Sequence, residues 1–328
     1  MRRREFITFL GGAAVAFPVA ARAQQHAMRR IGVLLNLGPD DPESSVRVAA
    51  LLKGLQELGW VDGRNLKIDY RWPAVDAASV HDGAAELVAL APNVVLASGN
   101  LFVATLQQIT NAVPIIFVSV IDPVGAGLVE SLARPGGNTT GFALFDYNIS
   151  GKWLELLKQI APQTKQAVVV RDPSSSAGIG QFAVIQAAAS TYGIDLRISD
   201  PQDTSALERA MVAITEGSNG GLIVTASTPA TRNRNQIVSL APKYRLPAIY
   251  PAHNFVLSGG LISYGPGRVD QYRLAATYLD RVLKGEKPAY LPVQVPTEYV
   301  LSVNLKTAKS LGITIPPTLL ATADEVIE

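Results

Sequence analysis

The residues best placed to do chemistry in this chain are polar ones that follow short apolar runs. Asn36 follows the run 31–35, Ser98, Gly99 and Asn100 follow 94–97, and Ser119 and Asp122 follow 115–118. Asp172, Ser174 and Ser175 follow 167–170, Ser227 and Thr228 follow 222–224, and Tyr250 and Asn254 come at and after 248–250. Such groups bind rather than cut. A carboxylate such as Asp122 or Asp172 suits an ammonium group. Free N–H groups at a helix start over Ser98-Gly99-Asn100 suit a carboxylate, and Gly99 lets the backbone approach closely. The same residues also serve as ordinary helix caps: Ser and Asn are common there, and Asp122 before Pro123 reads equally as a cap with proline at the first helical position. Phe102, Tyr250 and Tyr264 are candidates for apolar walls or for core.

Catalytic machinery is harder to find. The histidines are His26, His81 and His253, each without a partner motif. There is no Gly-x-Ser-x-Gly elbow, no His-Glu-x-x-His zinc motif and no Gly-x-Gly-x-x-Gly after a strand. The chain has no cysteine, which excludes disulfides, thiol nucleophiles, cysteine metal sites and a lipidated cysteine. Asp40-Asp41 lacks a third hard ligand nearby and reads as a solvated loop pair. The expectation is a binding protein without cofactor or metal, not an enzyme.

These groups need elements to hold them at strand ends. The first half reads strand 31–35, helix 42–58 stopped by Gly59, strand 66–70, helix to about 90, strand 94–97, helix 101–110 and strand 115–118. The second half repeats the order: strand 167–170, helix about 179–191 closed by Gly193, strand 196–198, helix about 206–215, strand 222–224, helix 236–241 and strand 248–250. Pro114-Ile115-Ile116 and Pro247-Ala248-Ile249 are matching points of the two halves. Alternation of this kind implies an α/β fold of two doubly wound parallel-sheet lobes. Ligands of such sheets bind beyond the carboxyl ends of the strands, where all the polar groups above fall. The expected crossings between lobes are Thr140-Gly141, Tyr264-Gly265 and Lys287-Pro288. Lobe one is then 24–140 plus about 265–287, with a helix 272–283 packing back on it. Lobe two is 141–264 plus about 288–328.

Residues 1–23 read as an address rather than as structure. Arg3-Arg4-Glu5-Phe6-Ile7 is a twin-arginine pattern, a small-residue apolar run follows, and Ala21-Arg22-Ala23 offers a cleavage site. The run is too short, and too interrupted by Gly11, Gly12 and Pro18, for a membrane span. A mature chain starting near Gln24 would be exported, soluble and unlipidated in the periplasm. The formal charge of +2 then becomes about −1, because Arg2, Arg3, Arg4, Arg22 and Glu5 leave. No basic stripe suggests nucleic acid.

Several segments resemble a known family. They are Gly63-Arg64-Asn65-Leu66, Tyr70-Arg71-Trp72, Asp122-Pro123-Val124, Arg134-Pro135-Gly136-Gly137-Asn138, Gly260-Leu261-Ile262-Ser263-Tyr264-Gly265 and Asn304-Leu305-Lys306-Thr307-Ala308-Lys309. In order and spacing they resemble ABC-transporter substrate-binding proteins of the group that includes tryptophan/tyrosine-type binding proteins. The resemblance implies the type I periplasmic-binding-protein fold, with three crossings. It also implies a small-molecule ligand between the lobes, an amino acid with the aromatic type favoured, and an ABC permease of the inner membrane as partner. Members often carry Asn-Pro-Asn where this chain has Asp172-Pro173-Ser174, and Gly-Gly-Thr-Pro where it has Gly99-Asn100-Leu101-Phe102. Two other functions fit the residues: a periplasmic sensor docking on a membrane receptor, and a secreted hydrolase, which lacks its nucleophile and base.

Overall fold

A computed structural model describes residues 28–215, 219–267 and 269–328. The twin-arginine segment, the cleavage site and His26 lie outside the described residues. In the first half, β1 (Arg29–Leu34), α1 (Pro42–Glu57), β2 (Leu66–Arg71), α2 (Ala77–Ala89), β3 (Val94–Ser98), α3 (Asn100–Ile109), β4 (Ile115–Ile121) and β5 (Thr139–Phe145) alternate. They build one five-stranded parallel sheet of order β2-β1-β3-β4-β5.

The second half opens with α4 (Ile149–Ile160), β6 (Gln166–Val170), α5 (Ser176–Tyr192), β7 (Asp195–Ser199), α6 (Thr204–Thr215) and β8 (Gly220–Val224). Next come α7 (Thr228–Arg232), α8 (Arg234–Lys243), β9 (Ala248–Tyr250), α9 (His253–Leu257), β10 (Ile262–Pro266) and α10 (Val269–Leu283). The chain finishes with β11 (Tyr299–Asn304), α11 (Leu305–Leu311), α12 (Pro317–Ala321) and β12 (Glu325–Ile327). The second sheet has the order β12-β11-β10-β9-β8-β6-β7 and is parallel except where β11 runs antiparallel to β10.

Alternation along each strand divides the side chains between two helical layers. On β1, Ile31 and Val33 pack with Leu51 and Leu55 of α1 and Leu279 of α10, while Leu34 joins Val80, Leu87 and Phe102 on the opposite face. On β6, Val169 packs with Trp153 and Ile185, and Val168 and Val170 with Met211 and Ile237. Each fully buried side chain of this size contributes roughly 1.5–3 kcal/mol of transfer free energy. Helix α10 lies late in the chain yet seals the first lobe. Gly54 of α1 lets it in: a Cβ there would meet the Arg273 carbonyl oxygen at 2.6 Å.

The connections between sheets come later than the sequence suggests. Thr140 and Gly141 are inside β5, where a Cβ on Gly141 would lie 2.1 Å from the Phe117 carbonyl oxygen. The chain leaves the first sheet only after Phe145. Tyr264 and Gly265 are likewise inside β10, so the return falls after Pro266. Residues past Lys287-Pro288 stay on the first lobe: Leu291 accepts a hydrogen bond from Thr140 Oγ1 (2.6 Å), and Gln294 pairs beside β5. The third passage is therefore at 295–298, just before β11. Short turn-rich segments resemble crossings in composition, but here strand pairing continues through them.

Candidate functional site

The carboxyl ends of both sheets face one another across a cleft that encloses a cavity of about 220 Å³. Nine of the thirteen sequence candidates line it: Asn36, Gly99, Asn100 and Ser119 from the first lobe, and Asp172, Ser174, Ser175, Ser227 and Thr228 from the second. Its apolar wall comes largely from the first lobe, through Leu101, Ile121, Leu128 and Leu144. Among the described residues, Asp172 is the one charged side chain on the wall, and no aromatic residue lines it.

The other four candidates have other positions. Ser98 is fully buried just behind the wall, holding Asn36 and Tyr272. Asp122 caps its own turn, accepting from the Gly125 N–H at 2.8 Å. Strand β4 runs on through a register break to Ile121, and Ser119 (φ 56°) and Asp122 (φ 42°) are both left-handed, which redirects the loop. Tyr250 points into the core against Phe255, and burial pushes its phenol well above the ordinary range. Asn254 donates to Glu43 of the other lobe instead of reaching the cavity. Of the expected apolar walls, Phe102 is also core, and Tyr264 stacks on Tyr299.

Local structure explains how the lining residues are held. Asp172 Oδ1 accepts from the Ser174 N–H (3.0 Å) and Ser174 Oγ (2.6 Å), which leaves Oδ2 unengaged by any described residue. Helix α5 can start against this loop because Gly178 has no Cβ, which would lie 2.1 Å from the Asp172 carbonyl oxygen. Fully buried Gln181 ties α5 to the β8 end: its Oε1 accepts from the Ala226 N–H and its Nε2 donates to the Ala226 oxygen, both at 2.9 Å. Ser227 then caps α7 by accepting from Ala230 N–H. In the first lobe, Asn100 clamps the end of β4, donating to the Ile121 oxygen (2.7 Å) and accepting from its N–H (2.9 Å). Gln271 of α10 accepts from the Ser119 N–H at 3.1 Å.

A row of contacts crosses the mouth of the cleft. Asn36 Nδ2 donates to Thr228 Oγ1 at 2.8 Å. Arg232 donates to the main-chain oxygens of Asn36 (2.8 Å) and Pro73 (2.9 Å). Arg234 pairs with Asp41 at 2.8 Å. Burial opposes ionisation of Asp41, but the bond from Arg234 and the Glu43 N–H outweigh it and hold the carboxyl below its ordinary range. Burial lowers the Arg232 guanidinium, with Asp41 nearby opposing the shift. Sequence reasoning missed both arginines, because a long side chain on a polar helix gives no sign of which carbonyls it will reach. Among the described residues no group of three potential ligands could hold a metal ion, and no helix is long and apolar enough to cross a membrane.

Known proteins are similar to this chain in sequence and in overall fold. A tyrosine-binding protein of Clostridioides difficile (strain R20291) is 27% identical over 263 residues, covering 79% of this chain and 74% of that protein. The crystal structure of an ABC domain from Streptococcus pneumonia, in complex with L-Trp, superposes with a TM-score of 0.82 at 28% identity, over 91% of this chain and 99% of that one. A conserved domain protein from Vibrio cholerae O1 biovar El Tor gives 0.83 at 27% identity over the same shares. The fold is the type I periplasmic-binding-protein fold. Residues 40–327, most of both lobes, match the ABC transporter substrate binding protein family, and the chain belongs to that family.

Proposed function

We propose that this chain is the exported solute-binding component of an ABC importer and that it captures a free amino acid between its lobes. The observation that carries the reading is the single carboxylate, Asp172, on a cavity wall otherwise built of hydroxyls, amides and aliphatic groups. A buried charge needs a partner, and an ammonium group of the ligand supplies one. The start of α3 at Gly99 and Asn100 offers N–H groups and a positive helix end to the ligand carboxylate. The aliphatic wall of the first lobe then takes the side chain. Binding of tyrosine and L-Trp by the two relatives supports the amino-acid class. The contacts across the mouth form as the lobes close, and the closed shape is what an inner-membrane permease would receive. Arg3-Arg4 would direct the folded precursor to the periplasm.

A thermal-shift screen of the twenty amino acids with nucleosides and organic acids tests this. A ligand present at 100 times its Kd raises stability by about 2.7 kcal/mol. Stabilisation by organic acids or nucleosides, with none by any amino acid, would overturn the amino-acid assignment. For export, changing Arg3 and Arg4 to lysine should leave precursor in the cytoplasm; normal processing of that variant would dismiss the twin-arginine route.

A further inference from the structure

Four polar groups form an unbroken chain from α10 to the second lobe. Tyr272 Oη lies 2.7 Å from Ser98 Oγ, Ser98 Oγ donates to Asn36 Oδ1 (2.9 Å), and Asn36 Nδ2 donates to Thr228 Oγ1 (2.8 Å). Tyr272 and Ser98 are fully buried and Asn36 nearly so. The proton order follows from the chemistry of each group. A serine hydroxyl has one proton, and Ser98 gives its proton to Asn36, so Tyr272 must be the donor to Ser98. The Asn36 carbonyl is thereby engaged, and its amide faces Thr228 as a donor. Thr228 accepts from Asn36, and its own proton goes to no described residue. Every donor in the chain points toward the cleft.

From this order we infer that Thr228, which lines the cavity, is held as a hydrogen-bond donor to a ligand oxygen, with Tyr272, Ser98 and Asn36 acting as positioning residues. The inference rests on the amino-acid reading and deepens it, because the oxygen it assigns is the ligand carboxylate. Thr228 sits where a carboxylate at the start of α3 would meet it: a Cβ on Gly99 would lie 3.6 Å from both Thr228 Oγ1 and Asn36 Nδ2. The cleft thus has two poles, Asp172 for the ammonium and Thr228 with the α3 start for the carboxylate. Serial donors polarise one another, so the last O–H is a better donor than an isolated threonine.

The test inverts the last link. Asn36→Asp keeps size and the carbonyl acceptor for Ser98 but puts an acceptor opposite Thr228, whose proton must then turn back toward residue 36. Calorimetry with L-tryptophan and with tryptamine, which lacks the carboxylate, reads the result. Asn36→Asp and Thr228→Val should each weaken L-tryptophan by about 10- to 150-fold, the range of one hydrogen bond to a charged group. Tryptamine should bind Thr228→Val as it binds the parent and bind Asn36→Asp at least as well. An unchanged ratio of the two affinities in both variants would overturn the inference, as would the reverse proton order, in which Asn36→Asp binds L-tryptophan like the parent. A ligand-free arm separates this from the amino-acid reading. Tyr272→Phe and Ser98→Ala should lower the melting temperature less together than the two single losses summed, because they break one chain; strict additivity would dismiss the chain. If that coupling appears while no amino acid binds the parent, the amino-acid reading and the carboxylate assignment fail and the buried chain stands.

Discussion

At the scale of residues, the cavity separates what binds from what supports. Asp172 is the sharpest case. Asp172→Ala should leave the fold intact, since the side chain lies at the cleft and only its local bonds to Ser174 are lost, and should cost on the order of 2–5 kcal/mol of binding to an ammonium ligand. Calorimetry against the parent checks it, and parental affinity would mean that the ligand has no ammonium at this pole. Asp122→Ala is the matched control. Its carboxyl accepts from the Gly125 N–H and does not line the cavity, so binding should hardly change. The polar residues at strand ends were legible in the sequence because sheet physics puts them at the cleft whatever the ligand. Which of them face the cavity was not. Tyr250 turned inward by strand alternation, and Asp122 was displaced by a register break and two left-handed residues that no propensity announces.

At the scale of elements, the alternating helices and strands read over 31–118 and 167–250 were placed to within a few residues, because apolar periodicity and stops such as Gly59 and Gly193 mark them directly, whereas α4, β10 and β11 were not read. The short α7, α9 and α12, of five residues each, carry too little periodicity to be seen. Strand β5 was overlooked as a pairing partner because its Thr-Thr-Gly start has the composition of a loop. The contact between α1 and α10 is the most exacting of these packings. Gly54→Leu should drive α10 off the first sheet and lower stability by about 1–3 kcal/mol or more, as overpacking does. Denaturant unfolding measures the loss. A variant as stable as the parent would show that α10 can shift without cost.

At the scale of the whole molecule, two lobes joined by three passages should contract around a ligand. Small-angle scattering with and without saturating ligand should show a smaller radius in the bound form; no change would indicate a rigid pocket. The clasp of Asp41 with Arg234 gives closure a pH signature. A carboxyl whose closed-state value is depressed supports closure fully above its ordinary value of 3.8 and loses that support as pH falls through the lower one. Asp41→Asn should therefore release ligand faster than the parent at pH 7, and the difference should shrink below about pH 3.8. A difference that persists into acid would assign the effect to shape rather than charge. The return of the chain to its first lobe also sets a timetable for synthesis. The inner face of the first sheet, with Leu51 and Leu55 on α1, is covered by Tyr272, Leu279 and Leu291, which a ribosome makes long after β5. At about 5–20 residues per second, that gap lasts roughly 7–30 s. The nascent first lobe must wait half-built with an open apolar seam, and the growing chain is most vulnerable to aggregation and proteolysis during that interval.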